Sequence, residues 1–327
     1  MSAPNRKKLL VPDTMSRAGW AVAAGRDDID MVAYSPDVTP EEFHRLLASA
    51  QGVALSTTRF GAAELAAAPL LRVVGRIGVG YDQVDVPALS GRGVPLMVAG
   101  VANSPSVAEA AVYMMLALAK RGAALDRLVK HGFWRSRFEV APFDLLGKTV
   151  LIIGFGRIGT RTAARLAGFE MRITVHDPFV PAEQITAVGA IPAPDLDAGL
   201  READFITIHC PKTPATVGMF DARRLALLKP GAYLVNTARG GIVDEPALHA
   251  ALVAGRLAGA GLDVFAVEPT PADNPLLRLE NVVTAPHMAG VTHESMDRMA
   301  VTTVRNMLSV LDGSPARENA VNAEAVA

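Results

Sequence analysis

The chain lacks the features that mark several large protein classes. It holds one cysteine, Cys210, in 327 residues, so an internal disulfide framework is excluded and a reducing compartment fits. Basic residues show no excess: 32 Lys and Arg stand against 33 Asp and Glu, a net charge of −1. A nucleic-acid partner would need a basic stripe that this balance does not supply. Long hydrophobic runs are missing too. The longest, residues 110–119, is too short to cross a bilayer. Near the N-terminus Arg6, Lys7 and Lys8 precede only Leu9-Leu10-Val11 before Pro12, which is no signal-peptide core. The histidines and the cysteine show no HExxH or CxxC spacing, so no metal site is expected. Low-complexity tracts and short internal repeats are absent. These deficits predict a cytoplasmic protein with neither a membrane nor a nucleic-acid partner.

What the chain does have is length, and half of its residues are hydrophobic, enough for two domains with substantial cores. The organising stretch runs from Lys148 to Asp177. An apolar, β-branched run at 149–153 leads into Gly154-Phe155-Gly156-Arg157-Ile158-Gly159, a helical pattern through Leu166, and a second apolar run at 171–176 that ends at Asp177. The order is strand, glycine turn, helix, strand, acid. A glycine at the first position permits a tight turn; one at the second lets backbone approach a pyrophosphate; one at the third packs the helix on the strand. The helix N-terminus favours the phosphates. Asp177, about 20 residues on, is placed to accept bonds from ribose hydroxyls. Its charge would repel a 2′-phosphate, and Pro178-Phe179-Val180 supply no arginine to receive one, so NAD is expected over NADP. Taken alone, Asp177 could also be a turn residue before Pro178.

Strand candidates before this stretch are 9–11, 29–34, 52–55, 72–75 and 94–98, alternating with helical patterns, one of them opened by Thr39-Pro40-Glu41-Glu42. Strand candidates from 149 onward are 149–153, 171–176, 204–209, 232–236, 257–263 and 281–284. The alternation predicts two parallel sheets covered by helices, the second a doubly wound nucleotide domain of six strands. Ser106-Val107-Ala108-Glu109 reads as a capping box opening a long apolar helix. Residues 122–143 read as an irregular arm. Asp221 and Asp244 read as helix N-caps, and a final helix spans about 292–311 before a mobile tail at 317–327.

Three charged residues follow strand candidates of the second sheet: Arg239, Glu268 and His287. Ligands of open α/β sheets bind beyond the carboxyl ends of the strands, so residues this far apart in sequence can converge there. The types suit hydride transfer to a 2-keto acid. A guanidinium clamps a carboxylate through two parallel donors and polarises the adjacent carbonyl. An imidazolium protonates the forming alkoxide, and a carboxylate fixes the imidazole's orientation. Each also has an ordinary reading, as a solvated loop arginine, a turn residue before Pro269 and a polar residue near a helix start. The lone Cys210 reads as an inert, buried thiol.

The motifs Gly78-Val79-Gly80-Tyr81-Asp82, the glycine fingerprint, His209-Cys210-Pro211-Lys212-Thr213-Pro214, Asn236 to Asp244, Leu262 to Pro269 and Pro286 to Gly290 together resemble the D-isomer-specific 2-hydroxyacid dehydrogenase family, over roughly residues 50–312. The resemblance implies a Rossmann NAD-binding domain at 103–289. It also implies a smaller, discontinuous flavodoxin-like α/β substrate domain at 1–102 and 290–327, with the active site in a cleft between the two. It makes Arg239 the substrate clamp, His287 the acid/base and Glu268 its partner. Val79 and Gly80 become backbone donors to the substrate carboxylate. The cofactor contacts it implies are Gly154, Gly156, Arg157, Ile158, Gly159, Asp177, His209, Cys210, Pro211, Thr237, Ala238 and Asp263. Asp263 also matches a family acid that supports the site. A homodimer through residues 103–145 and a small 2-keto or 2-hydroxy acid substrate are further expectations. So is the absence of a regulatory C-terminal domain. Gln83 stands where many members have Asn, and Lys212 where a hydrophobic residue is usual. Arg59, Tyr81, Trp134, His293 and Arg298 are unranked candidates for the distal pocket. A non-enzymatic, NAD-sensing corepressor of the same fold is the alternative.

Overall fold

In the computed structural model, which describes residues 6–326, the chain divides into two compact units, Met1–Asn103 with Val291–Ala327, and Ser104–Gly290. The first opens with β1 (Lys7–Pro12), α1 (Arg17–Val22), β2 (Ile29–Tyr34), α2 (Pro40–Leu47), β3 (Gly52–Leu55), α3 (Ala62–Ala67), β4 (Val73–Arg76), α4 (Val86–Gly91) and β5 (Leu96–Val98). Its strands lie in the order β2-β1-β3-β4-β5, all parallel. That is the flavodoxin-like order. Thr39 caps α2 as its sequence requires, its Oγ accepting from Glu42 N–H at 3.3 Å with Pro40 at the first helical position.

The second unit begins with α5 (Ser104–Lys120) and α6 (Gly122–Lys130), and a 3₁₀ turn at Trp134–Glu139 completes the arm. Then come β6 (Thr149–Ile153), α7 (Gly159–Ala167), β7 (Arg172–His176), α8 (Ala182–Thr186), β8 (Ile191–Pro192), α9 (Leu196–Glu202), β9 (Phe205–Ile208), α10 (Ala222–Leu227), β10 (Ala232–Asn236), α11 (Glu245–Val253), β11 (Leu257–Leu262) and β12 (Val282–Thr284). The sheet order β12-β11-β10-β9-β6-β7-β8 is doubly wound about β6. Its carboxyl-end crevice, where chain order reverses, lies between β6 and β9. Each strand alternates between two cores. Leu151, Ile153, Ile206, Ile208 and Leu234 enter one; Val150, Ile152, Phe205 and Val235 enter the other. Two covered faces explain why these strands read as unbroken apolar runs.

The chain then returns to the first sheet as α12 (His293–Leu311), with Thr292 as N-cap. Val304, Met307, Leu308 and Leu311 pack on Leu9, Val11, Ala54, Val73 and Met97, the face opposite Leu10, Val53, Leu55 and Val74. A Cβ on Gly75 would lie 2.7 Å from Met307 Sδ, so this glycine admits the helix; it is not a phosphate turn.

Four expectations need correction. The sheet of the second unit has seven strands, because the two-residue β8 pairs with β7; nothing so short shows periodicity. The long helix starts at Ser104, so Ser106 lies inside its first turn, and Glu109 pairs with Arg165 at 2.8 Å instead of closing a capping box. Residues 122–143 are more ordered than their pattern suggests. The tail is docked: Val321 N–H donates to Leu96 O at 2.9 Å. Buried Asn322 receives Leu96 N–H at 2.8 Å and donates to Val94 O at 3.0 Å. The tail thus covers the open edge of β5, whose pairing groups would otherwise face water.

Candidate active site

The glycine turn after β6 is shaped by what surrounds it. Gly154 has φ +91°, and a Cβ there would lie 2.8 Å from Cys210 N and 2.9 Å from His209 C. Its small size therefore lets the turn close on the end of β9. A Cβ on Gly159 would lie 2.1 Å from Gly154 O, which fixes the start of α7 against the turn. Around Gly156 there is open space, as a backbone approached by a ligand requires. Arg157 is exposed beside it and Ile158 is half-buried at the N-cap.

Asp177 is a turn residue twice over. Its Oδ2 accepts Phe155 N–H at 2.7 Å, bracing the turn, and its Oδ1 accepts Phe179 N–H at 2.9 Å, closing a local turn. Each oxygen keeps acceptor capacity beyond these bonds. Next to the turn, desolvation pushes the His209 imidazole down to about 3, so the ring is neutral. Its Nε2 pairs with Thr207 Oγ at 3.0 Å, while Nδ1 is buried without a partner among the described residues. Thr237 Oγ, one residue beyond β10, is likewise buried and unpartnered among them. Buried polar atoms are almost always satisfied. Two orphans at adjacent strand ends, beside an open glycine turn, fit a bound dinucleotide. Cys210 is half-buried, and desolvation pushes its thiol up to about 11. Pro211 is exposed.

Beyond β10 the chain is held by Asn236, a residue that sequence reasoning left without a role. Its Oδ1 accepts Ala238 N–H at 3.0 Å and its Nδ2 donates to Arg239 O at 2.9 Å. The Arg239 guanidinium donates to Ala238 O at 2.7 Å. A Cβ on Gly240 would lie 1.7 Å from Phe265 O, so the Arg239 loop lies directly on the loop after β11. There Phe265 N–H donates to Glu268 Oε1 at 2.9 Å. The other oxygen, Oε2, meets His287 Nδ1 at 2.7 Å. The three loops follow β10, β11 and β12, which are neighbours in the sheet.

Asp263 organises the third loop. It is buried, 1% exposed. Its carboxylate accepts Met288 N–H at 2.8 Å and Ala289 N–H at 2.9 Å, and its carbonyl accepts His287 N–H at 2.7 Å. His287 itself is left-handed, φ +56°, a conformation that costs a non-glycine residue roughly 1–2 kcal/mol. The Asp263 bonds hold it there and leave His287 Nε2, opposite the Glu268 contact, as the nitrogen that can exchange a proton with a substrate.

The remaining candidates are divided between the two units. Val79 and Gly80 are half-buried in the turn after β4, in the first unit. Arg59, Tyr81 and His293 are exposed in that unit. Arg298 donates to Ala102 O at 2.9 Å. Trp134 is exposed on the arm, with Arg137 over its ring at 5.7 Å. Lys212 reaches over the loop after β10; a Cβ on Gly241 would lie 3.1 Å from its Nζ. Among the described residues no group of histidine, cysteine and carboxylate side chains is arranged to hold a metal, and no helix is long and apolar enough to cross a membrane.

Comparison with known proteins places this geometry. Residues 112–289 match the family model described as D-isomer specific 2-hydroxyacid dehydrogenase, NAD binding domain. The chain is 41% identical over 270 residues to a D-3-phosphoglycerate dehydrogenase of Archaeoglobus fulgidus, covering 83% of this chain and 51% of that protein. It is 40% identical over 282 residues to a glyoxylate reductase of Korarchaeum cryptofilum, covering 84% of this chain and 83% of that one. The chain thus spans about half the length of the phosphoglycerate dehydrogenases it matches. Among solved structures, a D-lactate dehydrogenase from Aquifex aeolicus complexed with NAD and lactic acid superimposes with a TM-score of 0.83 at 27% identity, covering 97% of this chain and 99% of that one.

Proposed function

This chain belongs to the D-isomer specific 2-hydroxyacid dehydrogenase family, and on that premise we propose that it interconverts a small 2-keto acid and its 2-hydroxy acid, with NAD(H) as cofactor. The observation that carries this reading is the 2.7 Å contact between His287 Nδ1 and Glu268 Oε2, on a loop held by Asp263 and beside the loop that carries Arg239. That pairing fixes the ring's orientation and leaves Nε2 as the working nitrogen. The nicotinamide supplies or accepts the hydride. Arg239 grips the substrate carboxylate and polarises the keto oxygen. His287 gives a proton to the developing alkoxide in reduction and removes it in oxidation.

Gly154, Gly156 and Gly159 form the backbone seat for the pyrophosphate. Asp177 receives ribose hydroxyls on the lone pairs its two backbone bonds leave over, which favours NAD over NADP. His209 Nδ1 and Thr237 Oγ take the polar groups of the cofactor that would satisfy them. Hydroxypyruvate, glyoxylate, phosphohydroxypyruvate and sulfopyruvate make up the substrate class. The relatives' enzymatic names weigh against a purely sensory role. The exposed rings of Tyr113, Phe133, Trp134 and Phe138 on α5 and the arm support a homodimer through residues 103–145.

A panel of these keto acids, followed by NADH absorbance with parallel NADPH controls, tests the reading. Turnover with at least one keto acid and a preference for NADH are expected. No oxidation of NADH by any of them, or equal efficiency with both cofactors, overturns the respective assignment.

A further inference from the structure

The amino ends of the strands in the second unit carry a cavity that the proposed chemistry does not use. It has a volume of about 190 Å³ and is lined by Phe143, Lys148, Asp204, Phe205, Gly231 and Tyr233. Phe205 opens β9, Tyr233 is the second residue of β10, and Lys148 immediately precedes β6. The cavity therefore lies at the opposite edge of the sheet from Arg239 and His287, which follow strand carboxyl ends.

Three of its walls are aromatic and pack as a near-parallel triangle. Tyr233 lies 5.1 Å from Phe205 at an interplanar angle of 18°, and 5.1 Å from Phe143 at 27°; Phe143 and Phe205 are 6.1 Å apart at 31°. Offset stacks at such separations are the favoured aromatic geometry. The charged walls are unequal. Asp204 is already occupied: Thr149 N–H donates to Oδ2 at 2.9 Å and Lys229 Nζ to Oδ1 at 2.7 Å. The Lys148 ammonium makes no ion pair or hydrogen bond among the described residues, though with Lys229 it helps hold the Asp204 carboxyl below its ordinary value. Burial raises the Tyr233 phenol above its ordinary value, so it stays a protonated donor. With two lysines beside one aspartate, the cavity offers a surplus cation, one hydroxyl donor and a cluster of rings.

We propose that this cavity is a second ligand site, separate from the dinucleotide crevice, that takes a monocyclic aromatic carboxylate. The ring lies against the Phe143–Tyr233–Phe205 cluster and the carboxylate faces Lys148. Ring count follows from volume: ligand sites for larger molecules begin near about 300 Å³, so a nucleotide or fused system does not fit. Charge sign follows from Lys148, because Asp204 is neutralised by Lys229. Aromaticity follows from the wall, since an aliphatic ring offers no π face to the ring cluster.

Benzoate is the probe, and saturation-transfer NMR with titration calorimetry on the full chain is the readout, with neither NADH nor substrate present. A ligand this small is expected to bind with a Kd of about 1 mM. Lys148→Gln should weaken benzoate about tenfold, and Tyr233→Leu should remove the saturation transfer. Should Tyr233→Leu fail to fold by thermal melting, Lys148→Gln at the rim decides alone. Cyclohexanecarboxylate should bind more weakly than benzoate, and benzylammonium should not bind. Because Arg239 is itself proposed to hold carboxylates, Arg239→Gln is the essential control: it should leave benzoate binding unchanged. Absence of binding to the full chain overturns the proposal. So does loss with Arg239→Gln but not with Lys148→Gln, or equal binding of the saturated ring. None of these results depends on turnover, so the second site and the dehydrogenase reading stand or fall separately.

Discussion

Replacing Asp263 by Asn tests how the site is held. The carboxylate is buried and accepts two backbone N–H groups, from Met288 and Ala289. Hydrogen bonds to a charged acceptor contribute about 1.5–3 kcal/mol each. Asparagine keeps one acceptor and turns an N–H₂ toward a backbone N–H, so one bond is lost and two donors face each other. A loss of roughly 3 kcal/mol from the loop follows. That exceeds the roughly 1–2 kcal/mol cost of the left-handed His287 backbone, so the loop should relax and carry His287 away from Glu268. Misplacement by about 1 Å is worth on the order of 10²-fold in rate. The assay is kcat and KM for the best keto acid, with the NADH Kd measured separately by fluorescence. Asp263 as a positioning residue predicts a fall in kcat of about two orders of magnitude with a nearly constant NADH Kd. A well-folded Asp263→Asn protein with normal kcat would refute the reasoning. A variant that loses NADH affinity while retaining kcat would show that Asp263 is instead a cofactor contact.

Other expectations follow from the same geometry. Gly240→Ala puts a Cβ 1.7 Å from Phe265 O, so the Arg239 and Glu268 loops must part; activity should fall at least tenfold while the far-UV circular dichroism is unchanged, and normal kinetics would contradict the contact. Arg239→Lys should lose on the order of 10²-fold in kcat/KM, about 2.7 kcal/mol, because an ammonium cannot present two parallel donors; near-normal kinetics would make Arg239 a surface residue. His209 is depressed to about 3, below its unfolded value of about 6.5. The unfolded chain therefore binds a proton that the folded one refuses, and stability present above about pH 6.5 is lost as pH falls toward 3. Between pH 7 and pH 5 the loss should be about 2 kcal/mol by urea denaturation, and His209→Gln should remove that part of the slope; an unchanged slope would deny the desolvated, neutral ring. The Cys210 thiol, pushed up to about 11, should label slowly with a maleimide in the folded protein and rapidly once unfolded.

Much of this architecture was legible because local and global signals agree. Strands 52–55, 149–153 and 232–236 have the bounds their apolar runs predict, since a strand covered on both faces must be apolar throughout. Asp221 and Asp244 cap their helices, accepting Arg224 N–H at 2.8 Å and Ala247 N–H at 2.9 Å, because an N-cap is decided within four residues. The pairing of His287 with Glu268 was suggested by residue type and by resemblance. What the sequence could not show is set by long-range contacts. The double duty of Asp177 depends on Phe155, 22 residues away, and the tail is ordered by an edge strand more than 220 residues earlier in the chain. Asn236 and Gly240 carry the Arg239 loop through backbone contacts that leave no periodic trace. Ser106 kept the signature of a cap, yet the helix begins a residue pair earlier because Ser104 and Pro105 already satisfy helical geometry.

The central claim is that this chain moves a hydride between a nicotinamide and C2 of a keto acid, with His287 as the proton donor. The most direct measurement uses NADH carrying deuterium at the transferred position, with mass spectrometry of the product. The account predicts that the 2-hydroxy acid from the best keto acid gains the deuterium at C2. It also predicts that His287→Ala nearly abolishes this product while still binding NADH with unchanged affinity. A product without deuterium, or deuterated product formed by His287→Ala at the rate of the unmutated protein, would contradict it.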